Sequence, residues 1–405
     1  MDEKIYGYRW VILILAFLAH CLLQIALIIT MGMGGLLMSP AVGMSTVQFS
    51  ALATIPYITG FLFGIVGGAW ADRKSIRFVM LVGLGVACIG AIIRAVSMSF
   101  PILLLGSFLL GLSLAALNAN SAKLFRLWFP GRWTSIAMGI YILGATAGGG
   151  AIAMKVGPLM TDPQTGFIIG TACTVGCLVL WALLGRTHPE EIKAKDGEPM
   201  TAYLGEVLKN KYVWYISFIM FFVFGASIAE NSYLTSGLVA LTNDPAFAGN
   251  IGAVNMVAVG IGGVAMPALL AKAKNLKVIF FVAALLMGIS NIVIFQLPIG
   301  VITYIIVILQ GVFMGLLLPI GKTLPAVIPG VKPEHLGAVG GIQSSMQNLG
   351  AGLLPAYIVA PLAGVFGAGS PVALMIGTGC LVIFSGLFML LLPKGTNAVS
   401  APDAE

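Results

Sequence analysis

The sequence predicts an all-α membrane protein of about twelve transmembrane helices, arranged as two pseudo-symmetric six-helix bundles. Three observations carry this expectation. The composition is 59% hydrophobic and 9% charged, roughly a third of the charged fraction of an average soluble domain, so lipid must solvate much of the chain. Apolar stretches long enough to cross a bilayer recur on both sides of a polar centre. The segment Gly-Gly-Ala-Trp-Ala-Asp-Arg-Lys-Ser-Ile-Arg, ending at Arg77, stands between two such stretches, and a worn copy ends at Lys277, an offset of 277 − 77 = 200 that marks a duplication.

The first stretch, Arg9–Met33, is too long for the apolar core of a cleavable signal and lacks a small-residue cleavage site, so it reads as a retained span. His20 and Gln24 lie one turn apart near its middle and present one face. The second, Val47–Trp70, runs into the basic segment, and the third, Phe78–Ser97, carries Arg94 in its outer third. The fourth, Pro101–Phe125, contains Asn118. The fifth, Thr134–Lys155, holds a glycine run ending Gly148-Gly149-Gly150, suited to close packing or rocking and too apolar for a phosphate loop. Arg94 and Lys155 either draw anions toward the outer mouth or anchor at the interface. Cys173 and Cys177 in the sixth stretch, Gly166–Leu184, read as ordinary helix packing.

The charged segment that follows, 188–211, is the expected cytoplasmic loop between a bundle over 1–187 and a second over 212–393. In the seventh stretch, Val213–Leu234, Glu230 lies in the outer half. The eighth and ninth, Ala248–Ala271 and Val278–Phe295, flank the worn copy. The tenth, Ile302–Pro325, carries Lys322 roughly 10 Å past Gly315 at the helical rise, between the midplane and the cytoplasmic side. Gln343 and Gln347 share a face of the eleventh, Leu336–Ala360. The twelfth, Pro371–Leu392, precedes a short polar tail over 394–405.

Of the 21 Lys and Arg residues, an inside N-terminus leaves only Arg94, Lys155 and Lys322 away from the cytoplasmic face, as positive-inside loops require. All 6 tryptophans fall near the same helix ends, where interfacial indoles are favoured. Both termini are therefore expected inside. The net charge of +7 then follows from membrane orientation and calls for no nucleic-acid partner. The 5 cysteines all lie in apolar stretches and the 3 histidines show no metal-ligand spacing, so neither a disulfide framework nor a metal site is expected. With no nucleophile elbow, P-loop or paired carboxylates, the chain offers enzyme chemistry and cofactors nothing to stand on.

Two further stretches carry a family likeness. Gly68-x-x-x-Asp72-Arg73-x-Ser75-Ile76-Arg77 resembles the loop motif between the second and third helices of the major facilitator superfamily, with Ser75 and Ile76 departing from its pattern. The run from Leu127 to Gly139 between the fourth and fifth stretches is similar to that superfamily too. The resemblance implies a secondary transporter, working as a monomer in a cell membrane such as the bacterial inner membrane. It implies that Gly68, Asp72, Arg73 and Arg77 latch the cytoplasmic ends of the halves, Asp72 facing the positive end of a helix. The family's cavity-lining helices add Tyr57, Tyr141 and Asn255 to the candidates for substrate binding. Within the superfamily the chain is similar to the small-anion branches, cyanate and nitrate/nitrite porters among them, chiefly through Lys123-Leu-Phe-Arg126 before Trp-Phe-Pro. Nitrate porters carry an arginine in the second helix and Val47–Trp70 has none, which argues against nitrate itself.

Polar groups inside spans are costly and usually face the bundle interior, so they supply the remaining candidates. Lys322 either reads a substrate anion or snorkels to the interface; its repeat counterpart at 322 − 204 = 118 is Asn118. Glu230 is a candidate for proton coupling, or for a salt bridge to Arg94 or Lys155. His20, Gln24, Tyr57, Tyr141, Asn255, Gln343 and Gln347 either contact the solute or hydrogen-bond between helices. The expectation is a transporter of a small anion or carboxylate by alternating access, through proton symport or exchange with a counter-anion. The alternatives are a proton-coupled exporter of organic compounds and a non-transporting membrane receptor.

Overall fold

The computed structural model describes residues 3–129, 133–188, 204–269, 275–326, 328–331, 336–367 and 369–393. Among these, 12 helices are long and apolar enough to cross a membrane. In chain order they are α1 (Glu3–Gly32), α2 (Thr46–Arg73), α3 (Ile76–Val96), α4 (Phe100–Leu110 and Leu112–Trp128), α5 (Trp133–Leu143, Gly144–Gly150 and Ala151–Val156) and α6 (Pro163–Leu184). There follow α7 (Lys211–Thr242), α8 (Pro245–Leu269), α9 (Leu276–Val293), α10 (Val301–Thr323), α11 (Leu336–Leu353, Leu354–Val359 and Ala360–Gly367) and α12 (Pro371–Leu390). The chain is thus an all-α integral membrane protein that crosses the bilayer many times. Helices are the only open-ended way to satisfy backbone N–H and C=O groups in hydrocarbon.

Local sequence fixes where several helices begin. The Ser75 hydroxyl accepts from the Phe78 N–H, the Asp162 carboxylate from the Gln164 and Thr165 N–H groups, and the Ser370 hydroxyl from the Ala373 N–H. These satisfy donors that a first turn leaves open. Pro163 and Pro371 follow their caps at positions where a missing N–H costs nothing. The outward faces are apolar: Leu183 is 75% and Phe366 84% exposed, surface that water would reject and lipid tails accept.

The inner faces meet through small residues, because helix association in lipid depends on close van der Waals contact. A Cβ on Gly111 of α4 would lie 2.5 Å from the Pro56 carbonyl oxygen of α2; one on Gly315 of α10 would lie 2.5 Å from the Val259 carbonyl oxygen of α8. The duplication read from sequence is therefore also a duplication of contacts. A second pair repeats it: Gly149 of α5 sits against the Cys21 carbonyl of α1, and Gly350 of α11 against the Phe221 carbonyl of α7. Gly149 lies within a π-helical turn, Gly144–Gly150, and Gly350 precedes another, Leu354–Val359. π turns insert an extra residue and often mark functional sites.

Compactness divides the chain into a first unit of Met1–Gly197 with Asn231–Val257 and a second of Glu198–Glu230 with Ala258–Glu405. We retain 1–187 and 212–393 as the proposed extents of the two repeats. The compact units differ from them because 231–257 packs on helices of the first half. The expected loop over 188–211 and the tail over 394–405 lie largely outside the described residues.

If the paired glycine contacts set the helix spacing, Gly149→Val and Gly350→Val should each destabilise the protein by about 1–3 kcal/mol through overpacking. Thermal unfolding of the purified protein in detergent measures this. Both midpoints should fall, and unchanged midpoints would show that the helices are not held at these points.

Candidate functional site

In the first unit the candidate residues gather around α1 and α5. His20 is buried, its ring stacks on Tyr141 with centroids 3.9 Å apart, and its Nδ1 lies 3.0 Å from the Tyr141 carbonyl oxygen. A carbonyl only accepts, so Nδ1 carries the proton in this bond. The Tyr141 hydroxyl has no partner among the described residues. Tyr141 borders a cavity of about 10 Å³, shared with Asn120, Ser121 and Trp181, which is too small for a solute. His20 and Tyr141 thus join α1 to α5. Gln24, one turn further, is half-buried against Gly149, and its Oε1 has no partner among the described residues. Tyr57 on α2 and Asn255 on α8 are buried. Asn118 lies on α4, but its side chain falls outside the described residues.

Arg94 corrects an expectation. It stands neither at an outer mouth nor at the interface but only 3% exposed inside the first unit. Its guanidinium donates to the Ala26 carbonyl oxygen at 3.4 Å and to the Thr30 hydroxyl, both on α1, and lies 4.6 Å from the centre of the Phe167 ring on α6. All these partners are neutral, so the charge is offset by a carbonyl, a hydroxyl and an aromatic face. Gly106 of α4 makes room for it, since a Cβ there would lie 2.7 Å from the Arg94 Cγ.

The second unit places an acid where the first uses that hydroxyl. By the offset 221 − 21 = 200 that pairs Cys21 with Phe221, Glu230 of α7 corresponds to Thr30, and it is 3% exposed. The Asn291 amide of α9 points to its Oε2 at 3.5 Å while donating to the Met287 carbonyl at 3.1 Å. Asn291 and the fully buried Gln310 of α10 escaped the sequence reading. Neither atom of the Gln310 amide has a partner among the described residues. The signal for both was present, as amides inside apolar spans. In α11 the Gln343 amide donates to the Gly321 carbonyl at 2.8 Å and so ties α11 to α10. Gln347, one turn on, is buried, and its Oε1 has no partner among the described residues. Lys322, next to Gly321, is exposed in the last turn of α10.

Of the loop motif, the side chains of Gly68, Asp72 and Arg73 lie outside the described residues. Arg77 is described, and its guanidinium donates to the Ala182 carbonyl near the end of α6 at 3.0 Å. Its repeat partner Lys277 donates to the Leu392 carbonyl just past the end of α12. In both repeats one basic residue at the start of the third helix fastens the end of the sixth, where terminal carbonyls lack helical donors and attract cations. This partner of Arg77 lies within its own half.

The family description Major Facilitator Superfamily matches residues 12–355. The chain belongs to the Major Facilitator Superfamily. It is a transporter of small molecules rather than an enzyme. The transporter is 26% identical over 329 residues to a nitrite extrusion protein of Bacillus subtilis (strain 168), covering 77% of each chain. It is 27% identical over 209 residues to a probable nitrate/nitrite antiporter, NarK1, of Thermus thermophilus, covering 47% of this chain and 45% of that relative. Among solved structures it is similar to a bacterial homologue of the human lysosomal transporter Spinster in an inward-facing state, with TM-score 0.72, 16% identity and 96% of each chain covered. It is also similar to the nucleoside transporter NupG, with TM-score 0.70, 18% identity, and 96% of this chain and 99% of that one covered. At such identities these structures speak for the fold alone.

Two fastenings with no shared partner should contribute independently. Arg77→Met and Lys277→Met should each lower stability by about 1–2 kcal/mol, and the double variant by their sum. Thermal unfolding in detergent is the check; a single variant without effect would remove that fastening from the account.

Proposed function

We propose that this transporter moves a small monovalent anion, an inorganic oxyanion or a short carboxylate, by alternating access, with coupling by exchange against a counter-anion or by proton symport. The observation that carries the reading is the relationship over 77% of both chains to a protein named for nitrite extrusion. Lys322 supports it from within the chain: a lysine in the last turn of an otherwise apolar span offers an anion a charge-assisted contact. Gln24 and Gln347 add amide groups on α1 and α11 whose Oε1 atoms have no partner among the described residues. The remaining lining candidates are Tyr57, Asn118 and Asn255, with His20, Tyr141 and Gln343 positioning the helices that carry them. The class is stated as small anions rather than nitrate because α2 has no arginine before Arg73.

A bacterial inner-membrane location with both termini cytoplasmic fits the placement of basic residues. Gly68, Asp72, Arg73 and Arg77 are proposed to close that face.

A second reading, a proton-coupled exporter of organic compounds, is favoured by one observation. Glu230 is a buried carboxylate whose neighbour Asn291 stands at the limit of hydrogen-bond reach, a setting in which protonation changes the local charge.

The two readings separate in proteoliposomes. Lys322→Ala should reduce anion flux by about tenfold or more, the loss of one charge-assisted bond, and Lys322→Arg should retain most of it. Glu230→Gln should leave anion exchange largely intact. Loss of flux in Glu230→Gln with full flux in Lys322→Ala would overturn the anion reading in favour of the exporter.

A further inference from the structure

The duplication puts two opposite solutions in one place. In the first unit the Arg94 guanidinium reaches Ala26 and Thr30 of α1. Its stem passes Gly106 of α4, where a Cβ would lie 2.7 Å from the Arg94 Cγ. A fixed cation is thus built into the space among α1, α3 and α4. In the second unit the offset 294 − 94 = 200 puts Ile294, 1% exposed, in the place of Arg94, so no guanidinium stands there. The offset 315 − 111 = 204, between two glycines that make the same close contact, puts Gln310 in the place of Gly106. Its side chain therefore sets out along the path of the Arg94 stem, whose end in the first unit meets Thr30, the counterpart of Glu230.

Glu230 of α7, Asn291 of α9 and Gln310 of α10 are all buried. The Asn291 Nδ2 lies 3.5 Å from the Glu230 Oε2 and 3.1 Å from the Met287 carbonyl oxygen. The Asn291 Oδ1 has no partner among the described residues, and neither has either atom of the Gln310 amide. An orphaned amide at this depth is unfavourable, and a leucine would fill the same volume without it. No basic side chain on these helices is near. Theirs are Lys211, Lys277 and Lys322, and the closest along its helix is 322 − 310 = 12 residues away, about 18 Å.

What the cluster offers is oxygen. An Asn amide can turn about its last bond so that Oδ1 stands where Nδ2 stood. The Glu230 carboxylate, the Asn291 and Gln310 amide oxygens and the Met287 carbonyl can then face one point, an arrangement that repels itself unless a cation occupies that point. Hard cations take such oxygens. The set carries one negative charge, so a monovalent ion leaves it neutral, whereas a divalent one would leave a net charge inside the span.

We infer that Glu230, Asn291, Gln310 and the Met287 carbonyl form a sodium site within the second unit, at the place where the first unit carries its own guanidinium. The ion joins α7, α9 and α10 as Arg94 joins α3 to α1. The site does not depend on which solute the transporter carries.

The test uses the full chain in detergent, with sodium, potassium and choline all supplied as chlorides so that the anion never varies. Labelled sodium should bind the unmodified protein saturably, and sodium should raise its unfolding midpoint above that in choline while potassium does not. Glu230→Gln and Asn291→Leu should each cut the sodium bound at low concentration about tenfold or more, the loss of one charge-assisted contact. Gln310→Leu separates a ligand from a merely structural residue. It should lose the rise with sodium while its midpoint in choline stays at or above that of the unmodified protein, because an orphaned amide has been replaced by an apolar group of similar size. Absence of saturable sodium binding to the unmodified protein, equal protection by potassium, or a full sodium response in Gln310→Leu would overturn the site. A failure of the anion reading would leave these results untouched.

Discussion

The closeness with which helix backbones approach one another is the constraint on which this structure rests. In hydrocarbon there is no hydrophobic drive between helices, so association comes from contact, and contact is greatest where a side chain is missing. Gly149 against the Cys21 carbonyl and Gly350 against the Phe221 carbonyl draw α5 onto α1 and α11 onto α7. Two polar side chains of α1 depend on that spacing. His20 reaches the Tyr141 carbonyl only because α5 is close enough for their rings to stack, and Gln24 packs on the same glycine surface. The π turns beside both contacts are the local deformation that accompanies them.

The duplication preserves this mechanical frame while the chemistry within it has diverged. Arg77 and Lys277 still perform the same fastening, each on a carbonyl at the end of its half's last helix. Thr30 and Glu230, by contrast, occupy equivalent places with different jobs: one lends a hydroxyl oxygen to a buried guanidinium, the other is itself the charge. Arg94 is stabilised within a single unit and needs no solute. Lys322 has a backbone neighbour, Gly321, already engaged with Gln343. A frame held by glycines and terminal fastenings can tolerate such changes, because its stability does not depend on which polar groups line it.

How much of this was legible in the sequence follows from the range of each interaction. The twelve spans, the repeat and the basic residues at helix starts depend on composition and order along the chain, and they emerge directly from apolar runs and the 200-residue echo ending at Lys277. The glycine run in α5 announced close packing, though not the π turn. Arg94 was misplaced because distance along a helix gives depth, while the face that side chain takes depends on Gly106 of another helix. Tyr141 is legible in sequence only as either a lining residue or an interhelical contact; its stack on His20 needs the structure. Asn291 and Gln310 went unread because a single amide in an apolar run carries no sign of its partner. Of the candidate site, residue types were legible and neighbours were not.

The central claim, that the transporter carries small anions, is tested most directly by counterflow with the unmodified protein. Proteoliposomes loaded with nitrite, nitrate, formate or acetate, and in parallel with a neutral nucleoside or a cationic dye, are challenged with the labelled solute outside, with and without a pH gradient. The account predicts accumulation of at least one small anion and none of the nucleoside or dye. Counterflow of the nucleoside or the dye, with no anion moved under either condition, would contradict it.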